Sequence, residues 1–286
     1  MGRMFDSFLE LLKNREIVKI IITALLVGVL VSICAALLGV SLVLKKYSMI
    51  GDGLSHVGYG ALAVSAALGI SGSHNLEVSV PLVVAAAFFL LKLSEKSKIN
   101  SDAAVAAVST SSIAIGTVIF SLKGGTAADA CSSLFGSASL ITITEKDLII
   151  SVVLSIVTIV LFVVFYNRIF AVTFDEDFAK ATGIKANLYN MLIAVLTAVT
   201  IVLGMSLMGA ILISGLIIFP TLSSMRLCGS FKRVVVFSAV ISVFCFIFGF
   251  LGALLFNLQI GPAVIIANLI FYLFAVGFSK IKKSGV

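Results

Sequence analysis

Leu148-Ile149-Ile150-Ser151-Val152-Val153-Leu154-Ser155-Ile156-Val157-Thr158-Ile159-Val160-Leu161-Phe162-Val163-Val164 is an unbroken run of apolar and hydroxyl-bearing residues without a charge, a proline or a glycine. A helix that crosses the hydrocarbon of a bilayer takes about 20 such residues. The run does not alternate with a period of two, as a lipid-facing β-strand would. In lipid every backbone N–H and C=O must be bonded within the chain, and for a run of this kind the helix is the solution.

The same texture recurs along the chain. Spans are expected near 17–44, 47–70, 78–93, 103–122, 148–166, 187–207, 209–225, 233–256 and 262–279. The fold class is therefore all-α, a polytopic membrane protein with about eight or nine transmembrane helices, and residues 17–286 form a single transmembrane domain. Composition agrees: 60% of the 286 residues are hydrophobic and 12% are charged, too few polar groups to clothe a water-exposed surface. Residues 1–16 precede the first span. There Phe5, Phe8, Leu9 and Leu12 share one helical face, with Arg3, Glu10, Lys13 and Arg15 largely elsewhere, the pattern of an amphipathic interfacial helix. The run from Ile20 to Leu44 is too long for a secretory signal. Between the fourth and fifth spans, Ala127 to Ser139 is rich in small residues and is read as a segment dipping back into the protein.

The net charge of +7 follows the span ends. Placing 45–50, 92–102, 166–186, 225–233 and 279–286 on one side collects 14 of the 20 Lys and Arg there, which makes that side, with the C-terminus, cytoplasmic. The same arrangement leaves a basic N-terminus outside, and one span fewer in the first half would bring it in. No basic–aromatic patch is present, so nucleic acid is not an expected partner; the lipid bilayer is. Cys34, Cys131, Cys228 and Cys245 form no C-x-x-C pair and are read as small hydrophobes. A phosphate-binding G-x-x-x-x-G-K-[ST] loop, an H-E-x-x-H pair and a nucleophile elbow are all missing from the sequence, so ATP binding of that kind is not expected and no enzyme constellation is found.

Three stretches carry the candidate chemistry. In Gly51-Asp52-Gly53-Leu54-Ser55-His56, Asp52 and His56 stand four apart, which on a helix stacks their side chains on one face. A carboxylate with an imidazole is a ligand pair suited to divalent zinc, manganese or iron. Two such ligands per chain become four in a dimer. Ionisable groups within spans default to functional. The alternative is a pair at the cytoplasmic rim beside Lys45 and Lys46, with Asp52 capping the helix and His56 touching headgroups. In the second stretch, near 173–184, Thr173 and Glu176 have the spacing of a capping box, Asp175, Glu176 and Asp177 favour a helix N-terminus, and Gly183 ends it. Such a two-turn helix must dock, on its own protein or on a partner. In the third stretch, Gly209 to Pro220, a late proline in a glycine-bearing span predicts a kink or a broken helix. His74 is read as a loop residue. Asp102 and Thr110 to Ser112 face a polar path or serve as a helix start and interhelical hydrogen bonds.

Taken in order, these motifs resemble the permease subunit of bacterial ATP-binding-cassette importers for zinc, manganese or iron. Asp52-Gly53-Leu54-Ser55-His56 is similar to the family's D-x-L-[SA]-H. Leu134-Phe135-Gly136 with Thr144-Glu145-Lys146-Asp147-Leu148 resembles its L-F-G and T-x-x-D-L segment. Phe174 to Gly183 is similar to F-D-x-x-x-A-x-x-x-G, Gly209 to Pro220 to G-x-L-L-x-x-x-L-L-I-x-P, and Ile260-Gly261-Pro262 to the closing G-P-x-I-V. Thr221-Leu222-Ser223-Ser224 departs from the frequent P-A-A-T-A-R, and Thr110 stands where some zinc-type relatives carry histidine.

The resemblance implies a multi-pass subunit of the bacterial cell membrane that pairs with a second permease copy, as a homodimer. Two cytoplasmic ATPase subunits would grip the coupling helix through Phe174, Asp175, Glu176, Asp177, Ala181 and Gly183. An extracellular metal-binding protein would deliver the ion. Asp52 and His56 would lie on the metal path, with no permanently bound cofactor and a divalent metal ion as cargo. The alternative is an ion-gradient-driven secondary transporter with Asp52 as its protonatable residue.

Overall fold

The computed structural model describes residues 15–69, 75–96, 101–124, 145–256 and 258–284. Among the described residues every regular element is a helix: α1 (Arg15–Leu44), α2 (Ser48–Ala67), α3 (Asn75–Lys96), α4 (Ser101–Leu122), α5 (Glu145–Val164), α6 (Tyr166–Phe174), α7 (Glu176–Ala181), α8 (Ala186–Met208), α9 (Ala210–Leu227), α10 (Phe231–Phe256) and α11 (Ile260–Ser284). The expected interfacial helix lies outside the described residues for all but its end, as do the dipping segment 127–139, Cys131, the Leu134-Phe135-Gly136 motif and His74.

Among the described residues six helices are long and apolar enough to cross a membrane unaided: Ile17–Leu44, Ala103–Leu122, Ala186–Met205, Ala210–Leu227, Phe231–Phe256 and Ile260–Ile281. The expectation of eight or nine is met only to that extent. The other three expected spans coincide with α2, α3 and α5, each for a different reason short of the mark. α2 is diluted by glycine, serine, Asp52 and His56. The apolar part of α3 is confined to Glu77–Leu90. Leu148–Val164 is helical throughout, but the helix axis turns by 70° into α6, where the apolar run gives way to Tyr166-Asn167-Arg168. The seventh possible span is this bent pair taken as one.

α8 and α9 are the most enclosed of the spans, and α4 and α11 the least. α1 packs against α9, α10, α5 and α8, and its small residues bring it close. A Cβ added at Gly39 would sit 2.2 Å from the Ile217 carbonyl oxygen of α9, so the two backbones touch where lipid gives burial little driving force. The expected break at Pro220 does not occur: α9 runs unbroken through it. Side-chain hydroxyls line the same turns, Thr221 donating to the Ile217 carbonyl at 3.2 Å and Ser223 to that of Phe219 at 2.8 Å. The chain breaks at Gly209, where the expected spans 187–207 and 209–225 meet: this single residue separates α8 from α9, with φ +91° and ψ 155°, a conformation open to glycine and strained for other residues.

Candidate metal site and the short helix beside it

α1 ends on a left-handed residue. Lys46 has φ +62°, its N–H bonds the Val43 carbonyl at 3.1 Å, and the Tyr47 N–H bonds that of Leu42 at 2.8 Å, the paired closure of a Schellman motif. α2 starts at Ser48 immediately afterwards. Asp52 is therefore in the second turn and caps nothing, which removes the capping alternative. His56 follows one turn later, and its Nε2 lies 3.7 Å from Asp52 Oδ2. The side chains are 21% exposed for His56 and 40% for Asp52. His56 Nδ1 is buried without a hydrogen-bond partner among the described residues.

The residues between them hold α2 in place. Leu54 is fully buried. The Ser55 hydroxyl donates to the Asp52 carbonyl at 2.7 Å and lies 3.0 Å from the Ser214 hydroxyl of α9. A Cβ at Gly53 would come within 2.5 Å of Val105 Cγ1, and one at Gly60 within 3.0 Å of the Ser112 carbonyl oxygen, so α2 lies directly along α4. The hydroxyls of Thr110 and Ser111 bond carbonyls of their own helix, Ala106 at 2.8 Å and Ala107 at 2.7 Å. These two hydroxyls make no hydrogen bond to another helix among the described residues. Among the described residues no group of three or more His, Cys, Asp or Glu side chains is placed to hold a metal. The Asp52–His56 pair is thus smaller than the ligand set of a closed four-ligand centre.

The second expected element forms, with a different cap. Thr173 is in the last turn of α6, and the chain becomes extended at Asp175 (φ −147°, ψ 100°), whose carboxylate accepts the Phe178 N–H at 2.9 Å. The capping box is corrected to an Asp175 cap, because Thr173 has helical backbone and its own hydroxyl is buried. The far end closes as the sequence predicts. Gly183 has φ +82°, its N–H bonds the Lys180 carbonyl at 3.0 Å, and the Ile184 N–H bonds that of Ala179 at 2.9 Å. Ala179 is fully buried and anchors α7 beside Val172, Ala186 and Tyr189. Phe174 and Phe178 remain about two-thirds exposed, at 64% and 65%, and Asp175, Asp177 and Ala181 are exposed with them.

Glu176 faces inward, toward residues that sequence reading did not connect to it. Its Oε2 is 3.4 Å from Lys45 Nζ and accepts from Asn190 Nδ2 of α8 at 2.9 Å, while Oε1 is 2.8 Å from Lys180 Nζ. Lys45 Nζ also donates to Asn190 Oδ1. Burial opposes ionisation of Glu176, but hydrogen bonds from Lys180 and Asn190 and the charges of Lys45 and Lys180 outweigh it and hold the carboxyl down at about 2. A sequence signal existed: Asn190 is an amide inside an apolar run.

Comparison with known proteins closes the description. The sequence profile described as the ABC 3 transport family matches residues 17–279. A Thermotoga maritima protein named "probable metal transport system membrane protein" is 31% identical over 257 residues, covering 90% of this chain and 89% of that one. The high-affinity zinc uptake system membrane protein ZnuB of Haemophilus influenzae is 27% identical over 92% of this chain and 98% of its own. Among solved structures, PsaBC from Streptococcus pneumoniae in complex with Fab superposes with a TM-score of 0.80 at 24% identity, covering 95% of each chain, and so shares the fold.

Proposed function

Because the chain belongs to the ABC 3 transport family, we propose that it is the membrane-spanning permease subunit of an ATP-binding-cassette importer whose cargo is a divalent transition metal: zinc, manganese or iron. The observation that carries this reading is the Asp52–His56 pair, a carboxylate and an imidazole 3.7 Å apart on one face of α2. The hard oxygen and the borderline nitrogen together suit these ions. Two ligands from each of two copies would replace part of the ion's hydration shell, yet bind loosely enough to let it go.

Transport is then alternating access between two halves of a homodimer. An extracellular metal-binding protein hands over the ion, and two cytoplasmic ATPase subunits hydrolyse ATP on their own chains. α7 is the segment they would grip. Phe174 at the end of α6 and Phe178 of α7 are each about two-thirds exposed, Asp175 and Asp177 are exposed beside them, and Gly183 lets the helix end abruptly. The excess of Lys and Arg on this side of the spans supports a cytoplasmic position for this face and the C-terminus.

The reading is tested by metal uptake in cells carrying Asp52→Ala or His56→Ala. Each is expected to abolish uptake of the transported metal while the subunit still assembles with its ATPase. Normal uptake in both variants would refute the ligand assignment. Purified chain that moved metal in liposomes without an ATPase would favour an ion-gradient transporter instead.

A further inference from the structure

The corner between α1 and α2 and the short helix α7 meet at one ammonium group. Lys45 Nζ lies between Glu176 Oε2 of α7, at 3.4 Å, and Asn190 Oδ1 of α8. Its side chain is only 8% exposed. An ammonium so far out of water is costly to leave without counter-charge, so the contact with Glu176 is one the fold must keep or replace. Asn190 closes the triangle by donating to the same Glu176 oxygen at 2.9 Å. The other basic partner of Glu176, Lys180, belongs to α7 itself and is about half exposed.

From Lys45 the path to the metal pair is short and stiff. The left-handed corner at Lys46, closed by two backbone bonds, leads straight into α2, and Asp52 follows in its second turn. Beneath the triangle, a small cleft lined by Leu42, Tyr47, Ile50, Leu54, Ile193 and Thr197 separates the start of α2 from α8.

We propose that Lys45 is a positioning residue: through its contact with Glu176 it ties α7 to the start of α2 and passes displacement of α7 to the helix that carries Asp52 and His56. The proposal rests on the importer reading and adds to it the route by which ATPase movement reaches the ligands. Lys45 does not touch the ion. Its removal leaves Asp52 and His56 in place and loosens their connection to α7.

The test uses the permease assembled with its ATPase in proteoliposomes, with manganese(II) and zinc(II) as separate probes and metal moved and ATP hydrolysed measured in the same preparation. The wild-type complex comes first: metal movement that needs no ATP defeats the importer reading itself, whatever the variants do. With coupling established, Lys45→Met and Glu176→Gln are each expected to lower the metal moved per ATP by about tenfold, within the usual range for coupling between sites. The double variant should be no worse than either single one, since both remove one contact. Lys45→Arg, which keeps the charge, should recover most of the ratio. An unchanged ratio in Glu176→Gln, or losses that multiply in the double variant, overturns the proposal. If Lys45→Met does not accumulate, the ratio in Glu176→Gln decides alone.

Discussion

The carbonyl of Ala179 accepts the N–H of Ile184 across the end of α7 at 2.9 Å, and this bond lets a helix of six residues keep a defined end. It requires Gly183 between them at φ +82°. A Cβ at Gly183 would meet nothing within 4 Å, so Gly183→Ala should cost only the backbone strain, about 1–2 kcal/mol. Lys46 occupies the equivalent place after α1 with a side chain, and Lys46→Gly should move the other way, a gain of up to about 1 kcal/mol. Thermal unfolding of the two variants in detergent, displaced in opposite directions, checks the pair.

Glu176 predicts a pH dependence of definite sign. Its carboxyl is held at about 2 against an ordinary 4.5. The stabilisation it gives α7 is therefore present in full above 4.5 and is lost as pH falls from there toward about 2. Amide protection over 176–184, taken relative to the intrinsic exchange rate at each pH, should fall as pH drops from about 4.5 toward 2, and Glu176→Gln should flatten that component. An identical pH profile in the variant would remove Glu176 as the cause.

At the contact of α1 with α9, Gly39→Ala places a carbon 2.2 Å from a carbonyl oxygen of the facing backbone. Neither helix can yield by turning a side chain, and the expected cost is about 1–3 kcal/mol. Loss of folded protein in detergent, measured against a neutral control such as Gly252→Ala, where an added Cβ meets nothing within 4 Å, gives the comparison.

Phe178 contributes little to the folded chain, being 65% exposed. Phe178→Ala should change the stability of the isolated permease by no more than about 0.5 kcal/mol, yet weaken co-purification with the ATPase severalfold. Equal recovery of the complex would show that α7 is not gripped through this ring.

Most of the fold was legible because apolar runs announce their own structure. Leu148–Val164 is helical from end to end, and Asp52 and His56 stack as their spacing requires. The 70° turn after Val164 was not legible. The sequence shows where the apolar run stops, while the direction the chain then takes depends on what α6 packs against. Thr173 and Asp175 were both good caps by type, and only the backbone decides between them. Pro220 looked like a breaker, and the joint between two spans was placed near 207–209 without its backbone conformation. A proline's lost bond can be absorbed by hydroxyl-rich neighbouring turns, whereas a left-handed φ at a one-residue joint leaves no local trace beyond the glycine itself. Lys45 was read as an orientation charge and a mark of the rim, since Glu176 and Asn190 lie 131 and 145 residues away.

Gly209 joins two buried helices without a loop, so the connection can take up no slack. A single inserted residue there would wind α9 forward by about 100°, carrying Ser214 off Ser55 and Ile217 off Gly39. Surface loops absorb changes of length. This joint would transmit them whole, which makes the distance along the chain from the Asn190 turn to Ser214 a fixed gauge: a deletion one residue long should be as disruptive as a deletion of several.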